Sequence, residues 1–83
     1  MARLTRNPLA KLRVAAGYDT ALQAATVLGC SRVHLLNVER GRAGASDHLV
    51  AKMVSTYHTP ENLIRAAMRQ AQRDLYRRML EAS

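Results

Sequence analysis

Helix breakers cut this chain into short helical pieces, and one of them has only about nine residues, too few to stand as a helix in water without partners. The fold must therefore bury these pieces against one another. Asn7-Pro8 is a start signal, with Asn as N-cap and Pro at the first helical position. Leu9, Leu12 and Ala16 follow at helical spacing, Lys11 and Arg13 are read as lying off that apolar face, and Gly17 is the stop. Asp19-Thr20 opens the shortest piece, whose face of Ala21, Ala24, Ala25 and Leu28 lets a neighbour approach closely before Gly29 ends it. Ser31 opens a third helix closed by Gly41. Ser46 caps a fourth, with Asp47 in its first turn and Leu49, Val50, Met53, Val54 and Tyr57 as its core face. Thr59-Pro60 starts a fifth, and no breaker follows before about Glu81, so this helix is expected to run for roughly 20 residues.

Ala, Leu, Arg and Gln dominate, all good helix formers, and no strand-like alternation extends beyond a few residues. With Tyr18, Tyr57 and Tyr76 as the whole aromatic complement, an all-β fold is disfavoured. The expected fold is all-α with five helices. Its 83 residues make one domain, able to bury about 60% of the unfolded surface. Within it we expect an arm over 1–6, a core over 8–66 and a helical extension over 67–82.

Two short helices joined by a tight turn containing Gly are the helix-turn-helix signal. Here the pattern is Thr20-x-x-x-Ala24-Ala25-x-x-Leu28-Gly29-x-Ser31-Arg32-x-x-Leu35-x-x-Val38-Glu39-Arg40-Gly41-Arg42. From about Leu9 to Tyr57 the order of parts resembles the Cro/repressor (xenobiotic-response-element, XRE) family of DNA-binding regulators. Many members open the second helix with a glutamine that touches DNA phosphate. Ala21 stands there in this chain, and Gln23 supplies the next amide. The connection Gly17-Tyr18-Asp19-Thr20 is also slightly longer than the commonest one. The resemblance implies a phage or bacterial regulator and a largely structural Glu39, which we read as a local salt-bridge partner.

The charge agrees with that class. Thirteen basic against six acidic residues give +7, a balance that favours a polyanionic partner, and eleven of the thirteen are arginine, whose planar fork suits phosphate and guanine edges. A recognition helix enters the major groove N-terminus first. Its first two turns here carry Arg32, Val33, His34, Leu36 and Asn37, the expected base readers. Arg suits guanine O6 and N7, Asn suits adenine N6 and N7, and Val or Leu suits a thymine methyl. Leu35 and Val38 are assigned to the core. Leu36 falls off that face and either touches DNA or faces solvent. Thr20, Gln23, Ser31, Arg42, Ser46 and Lys52 are the expected phosphate contacts, with helix N-terminal amides beside the capping hydroxyls. Arg3 and Arg6 are either an arm reaching DNA or ordinary solvated charges.

A family-like core ends within the first turns of the fifth helix and leaves Met68, Ala71, Leu75 and Met79 as a stripe that must be covered. It either folds back near Leu4 and Leu9 or pairs with a second chain, and the small core favours the homodimer. A two-fold dimer places two recognition helices about 34 Å apart and reads a palindrome. Arg69, Arg73, Arg77 and Arg78 lie mostly outside the stripe and are read as a solvated face.

Other chemistries find no support. Cys30 and His34 are four apart but lack two further ligands, and His48 and His58 add no spacing, so no metal or cofactor is expected. Cys30 is read as a core cysteine in the turn. A single cysteine excludes an internal disulfide and fits a reducing, cytoplasmic setting. No apolar run approaches a membrane span, no secretory signal is expected at the N-terminus, and no catalytic constellation appears. The function expected is a homodimeric transcriptional repressor that binds double-stranded DNA. The alternatives are an antitoxin holding its toxin through the last helix, and a protein-interaction adaptor without a DNA role.

Overall fold

The computed structural model describes residues 7–82. The described residues form five helices: α1 (Pro8–Ala15), α2 (Ala21–Leu28), α3 (Arg32–Glu39), α4 (Asp47–Tyr57) and α5 (Glu61–Ala82). The first four starts are capped by side chains. Asn7 Oδ1 accepts from the Leu9 and Ala10 amides at 3.1 and 3.2 Å. Thr20 Oγ1 accepts from Gln23 N at 3.2 Å while Gln23 Oε1 accepts from Thr20 N at 3.0 Å, a reciprocal capping box. Ser31 and Ser46 cap α3 and α4 through the His34 and Leu49 amides. These caps satisfy amides that a helix of eight residues would otherwise leave open at its first turn.

One core holds the helices together. Leu9, Leu35, Val38, Val50, Met53 and Ile64 are its fully buried members, drawn from α1, α3, α4 and α5, and α2 adds Ala24, Ala25 and Leu28. The small face of α2 packs against α3 and α4, while α5 lies across α1, α3 and α4. The Tyr18 ring stands beside that of Tyr57 at 6.2 Å between centroids.

The end of α3 fixes the position of α5. Gly41 N donates to Val38 O and Arg42 N donates to Asn37 O, at 3.1 and 2.9 Å, the paired closure of a Schellman motif. That motif needs a left-handed residue, and Gly41 has φ +80°. It also needs no side chain there, since a Cβ on Gly41 would sit 2.6 Å from the Ala71 carbonyl oxygen. The loop after α3 therefore lies directly on the backbone of α5.

Three expectations are corrected. Arg13 is not off the apolar face of α1: it is 8% exposed, and its Nε donates to Glu39 Oε2 at 2.8 Å. Met68 and Ala71 are buried within the chain, at 8% and 4%, so they do not belong to a leftover stripe, and the core runs past residue 66 to Ala71. Met68 joins the core cluster, and the close approach of Gly41 brings the α3–α4 loop onto the Ala71 turn of α5. Leu36 is half-buried and packs against the core rather than standing off it.

Candidate nucleic-acid interface

Three of the expected phosphate contacts are N-caps, of α2, α3 and α4. Thr20, Ser31 and Ser46 are all exposed, and each hydroxyl accepts from an amide in the first turn of its own helix. Helix N-termini concentrate amide donors and positive dipole, which favour anions. Gln23 is also exposed, but its carbonyl oxygen is engaged by Thr20 N, which leaves its amide nitrogen as the group facing outward chemistry. Lys52 on α4 reaches the turn between α2 and α3: its Nζ is 3.4 Å from where a Cβ on Gly29 would stand. Arg42, in the loop after α3, is exposed.

The expected base readers are all on α3. Leu35, Val38 and Glu39 anchor its inner face at 0%, 1% and 2% exposure. Arg32 and Val33 project outward from its first turn, with Val33 61% exposed. His34 and Asn37 are half-buried at the margins. The Asn37 carbonyl also accepts the Arg42 and Ala43 amides that close the helix. Leu36 contributes to the core with one side and leaves part of its surface accessible. The exposed reader pair is thus one guanidinium beside one branched apolar side chain, a combination suited to a guanine edge and a thymine methyl.

Arg40 joins this surface, and it was not among the residues expected. It is exposed and lies seven positions after Val33, two helical turns on, so the two share a face. That spacing was the available signal, hidden because Arg40 stands inside a segment read as the structural end of the helix. Arg3 and Arg6 lie outside the described residues.

The frame behind the surface is electrostatic. Arg13 donates through Nε to Glu39 Oε2 and through Nη1 to the Tyr18 and Asp19 carbonyls, both at 2.9 Å. One side chain thereby ties α1 to the base of α3 and braces the connection that enters α2. Glu39 is the salt-bridge partner that the sequence reading made it, joined to a residue 26 positions away rather than a local one. The Tyr57 hydroxyl is buried nearby with no hydrogen-bond partner among the described residues. Burial, and after it the Glu39 carboxylate, push its ionisation up, so the phenol stays neutral. Burial likewise raises the Cys30 thiol, which packs partly buried against the core in the turn. A thiol held protonated is a poor nucleophile and a poor metal ligand. Among the described residues no group of three or more His, Cys, Asp or Glu is arranged to hold a metal ion. Among the described residues no helix is long and apolar enough to cross a membrane.

No curated protein and no solved structure matches the chain. A family model described as a helix-turn-helix domain matches residues 8–67, which spans α1 to α4 and the first turns of α5. With α2, the Gly29 turn and the outward-facing α3 in the places that motif requires, the chain belongs to the helix-turn-helix domain family.

Proposed function

We propose that this protein is a sequence-specific regulator of transcription that binds double-stranded DNA as a homodimer, reads a palindromic operator through α3, and represses by occupying a promoter. The observation that carries the reading is the division of α3 into two faces. Leu35, Val38 and Glu39 hold it to the core, while Arg32 and Val33 are left exposed. Membership of the helix-turn-helix family supports duplex DNA as the partner, and so does the net charge of +7.

Arg32 and Val33 are the principal base readers, with His34, Leu36 and Asn37 at the edge of the contact. Thr20, Gln23, Ser31, Arg42, Ser46 and Lys52 hold the phosphates on either side. The second copy is held through the far part of α5, where half-buried Leu75 and Met79, 54% exposed, continue the stripe. Met68 and Ala71 take no part, being buried in the single chain.

The test is selection from a randomised duplex pool at physiological salt, followed by sequencing of what is retained. The expected product is a palindrome with half-sites about one turn, 34 Å, apart. A single enriched half-site would remove the dimer. Retention without enrichment would remove the operator reading and leave generic phosphate binding. Arg32→Ala should cost about 1–3 kcal/mol at one base position and relax the preference there, whereas Lys52→Ala should weaken all sequences alike.

A further inference from the structure

Four arginines line one groove of 980 Å³ beside the end of α3: Arg40 and Arg42 from the helix end and its loop, and Arg77 and Arg78 from α5. The last two come from a face that the sequence marks only as solvated. Two carboxylates, Asp74 and Glu81, also line it, so the arginines outnumber the acids available to them. Asp74 accepts from Gln70 Nε2 at 2.9 Å. The third acid of the groove, Glu39, is already paired with Arg13.

The groove is a consequence of the Gly41 contact. That contact seats the α3–α4 loop on Ala71, and Arg78 lies seven residues further along α5, on the same helical face and about 10 Å away. The position relative to DNA follows from lengths. With eight residues, α3 is about 12 Å long, and the major groove is about 12 Å wide. A helix of that length with its N-terminal residues on the bases brings its C-terminal end to the groove wall, where the phosphates are. Arg40 and Arg42 are at that end, and Arg77 and Arg78 continue the basic surface away from it.

We propose that Arg77 and Arg78 of α5 join Arg40 and Arg42 in a second phosphate-binding surface, so that α5 lengthens the DNA footprint beyond the recognition helix. This rests on the duplex-binding reading above. The ligand is the sugar-phosphate backbone of a duplex, and the contact carries no base information.

The experiment compares the salt dependence of duplex binding for the full chain, for Arg77→Gln/Arg78→Gln, and for Arg69→Gln/Arg73→Gln. The second double variant removes the same charge from exposed positions of α5 that do not line the groove. Each phosphate contact contributes about 0.9 to the slope of log affinity against log salt. The groove variant should therefore flatten the slope by about 1.8 and keep the same preferred sequence, while the control leaves the slope nearly unchanged. Equal changes in the two variants, or no change in the first, overturn the proposal and leave the groove to an acidic protein segment. Unfolding midpoints measured alongside show that both variants are folded. If the unaltered protein shows no preference among duplexes, the functional reading fails first and this inference fails with it, an outcome separate from an unaltered slope in a protein that does select its site.

Discussion

Replacing Gly41 by alanine tests whether the α3–α4 loop truly rests on α5. Two costs combine at this position. The left-handed backbone, φ +80°, costs an L-residue roughly 1–2 kcal/mol, offset by about 0.4–1 kcal/mol because alanine has less freedom to lose from the unfolded chain. The second cost is steric. A Cβ would lie 2.6 Å from the Ala71 carbonyl oxygen and 2.9 Å from the Gln72 Cα, well inside the 3.4 Å at which ordinary contact begins. Both obstacles are backbone, so neither can rotate away, and the loop must lift from α5. Overpacking of this kind typically costs about 1–3 kcal/mol. Gly17 is the internal control. It has φ +98° and nothing within 4 Å of its own hypothetical Cβ, so alanine there meets the backbone cost alone. We expect Gly41→Ala to be less stable than Gly17→Ala by about 2 kcal/mol, or ~8–16 °C in thermal midpoint for a domain of this size. Urea and thermal unfolding followed by far-UV circular dichroism read the difference. Adding Ala71→Gly should not restore stability, because the clash is with a carbonyl and not with the alanine methyl. A Gly41→Ala protein as stable as Gly17→Ala would refute the close approach, and with it the placement of Arg77 and Arg78 beside the end of α3.

Two further perturbations address the frame behind the interface. Glu39→Ala leaves the buried Arg13 guanidinium with only the Tyr18 and Asp19 carbonyls, and should cost about 3–5 kcal/mol. Arg13→Met/Glu39→Leu should recover most of that loss, so a double-mutant cycle in urea that finds the two positions additive would rule out the pairing. Tyr57→Phe removes a buried hydroxyl that has no partner among the described residues, and unfolding should show stability unchanged or raised by up to about 1 kcal/mol. A clear loss would mean that the hydroxyl is satisfied.

All five helices could be read from the chain because their limits are set by local chemistry. Asn7-Pro8, Thr20, Ser31 and Ser46 act on amides two or three residues away, and that reach is shorter than any reading window. The Thr20-x-x-Gln23 capping box was legible by the same rule, although the sequence reading used Gln23 only as a phosphate ligand. Arg13 shows where the method stops. A charged residue is assigned to solvent by default, yet Arg13 lies four residues after buried Leu9 and Glu39 lies four after buried Leu35. Each charge therefore continues an apolar face, and two opposite charges doing so on two helices is the mark of a buried pair. Neither position reveals this without the other, and they are 26 residues apart. Met68 and Ala71 fail differently: their face was read correctly, but what covers it depends on a glycine thirty residues earlier.

On α3 the exposed face is independent of the packing that holds the helix, whereas on α5 it is not. No hydrogen bond or ion pair among the described residues uses the Arg32 side chain, and Val33 is mostly exposed. Leu35, Val38 and Glu39 hold α3 without them. Fold and reader are therefore separable on this helix, and the period of 3.6 residues alone sorts one from the other. On α5 the two tasks overlap. Met68 and Ala71 serve the chain's own core, Leu75 is half-buried and lines the arginine groove, and Met79 beyond it is 54% exposed. A single amphipathic stripe is thus buried at its proximal end and exposed at its distal end. The change falls beyond Ala71, whose carbonyl faces Gly41, so it follows from tertiary packing and is not marked by any change in the stripe's own sequence.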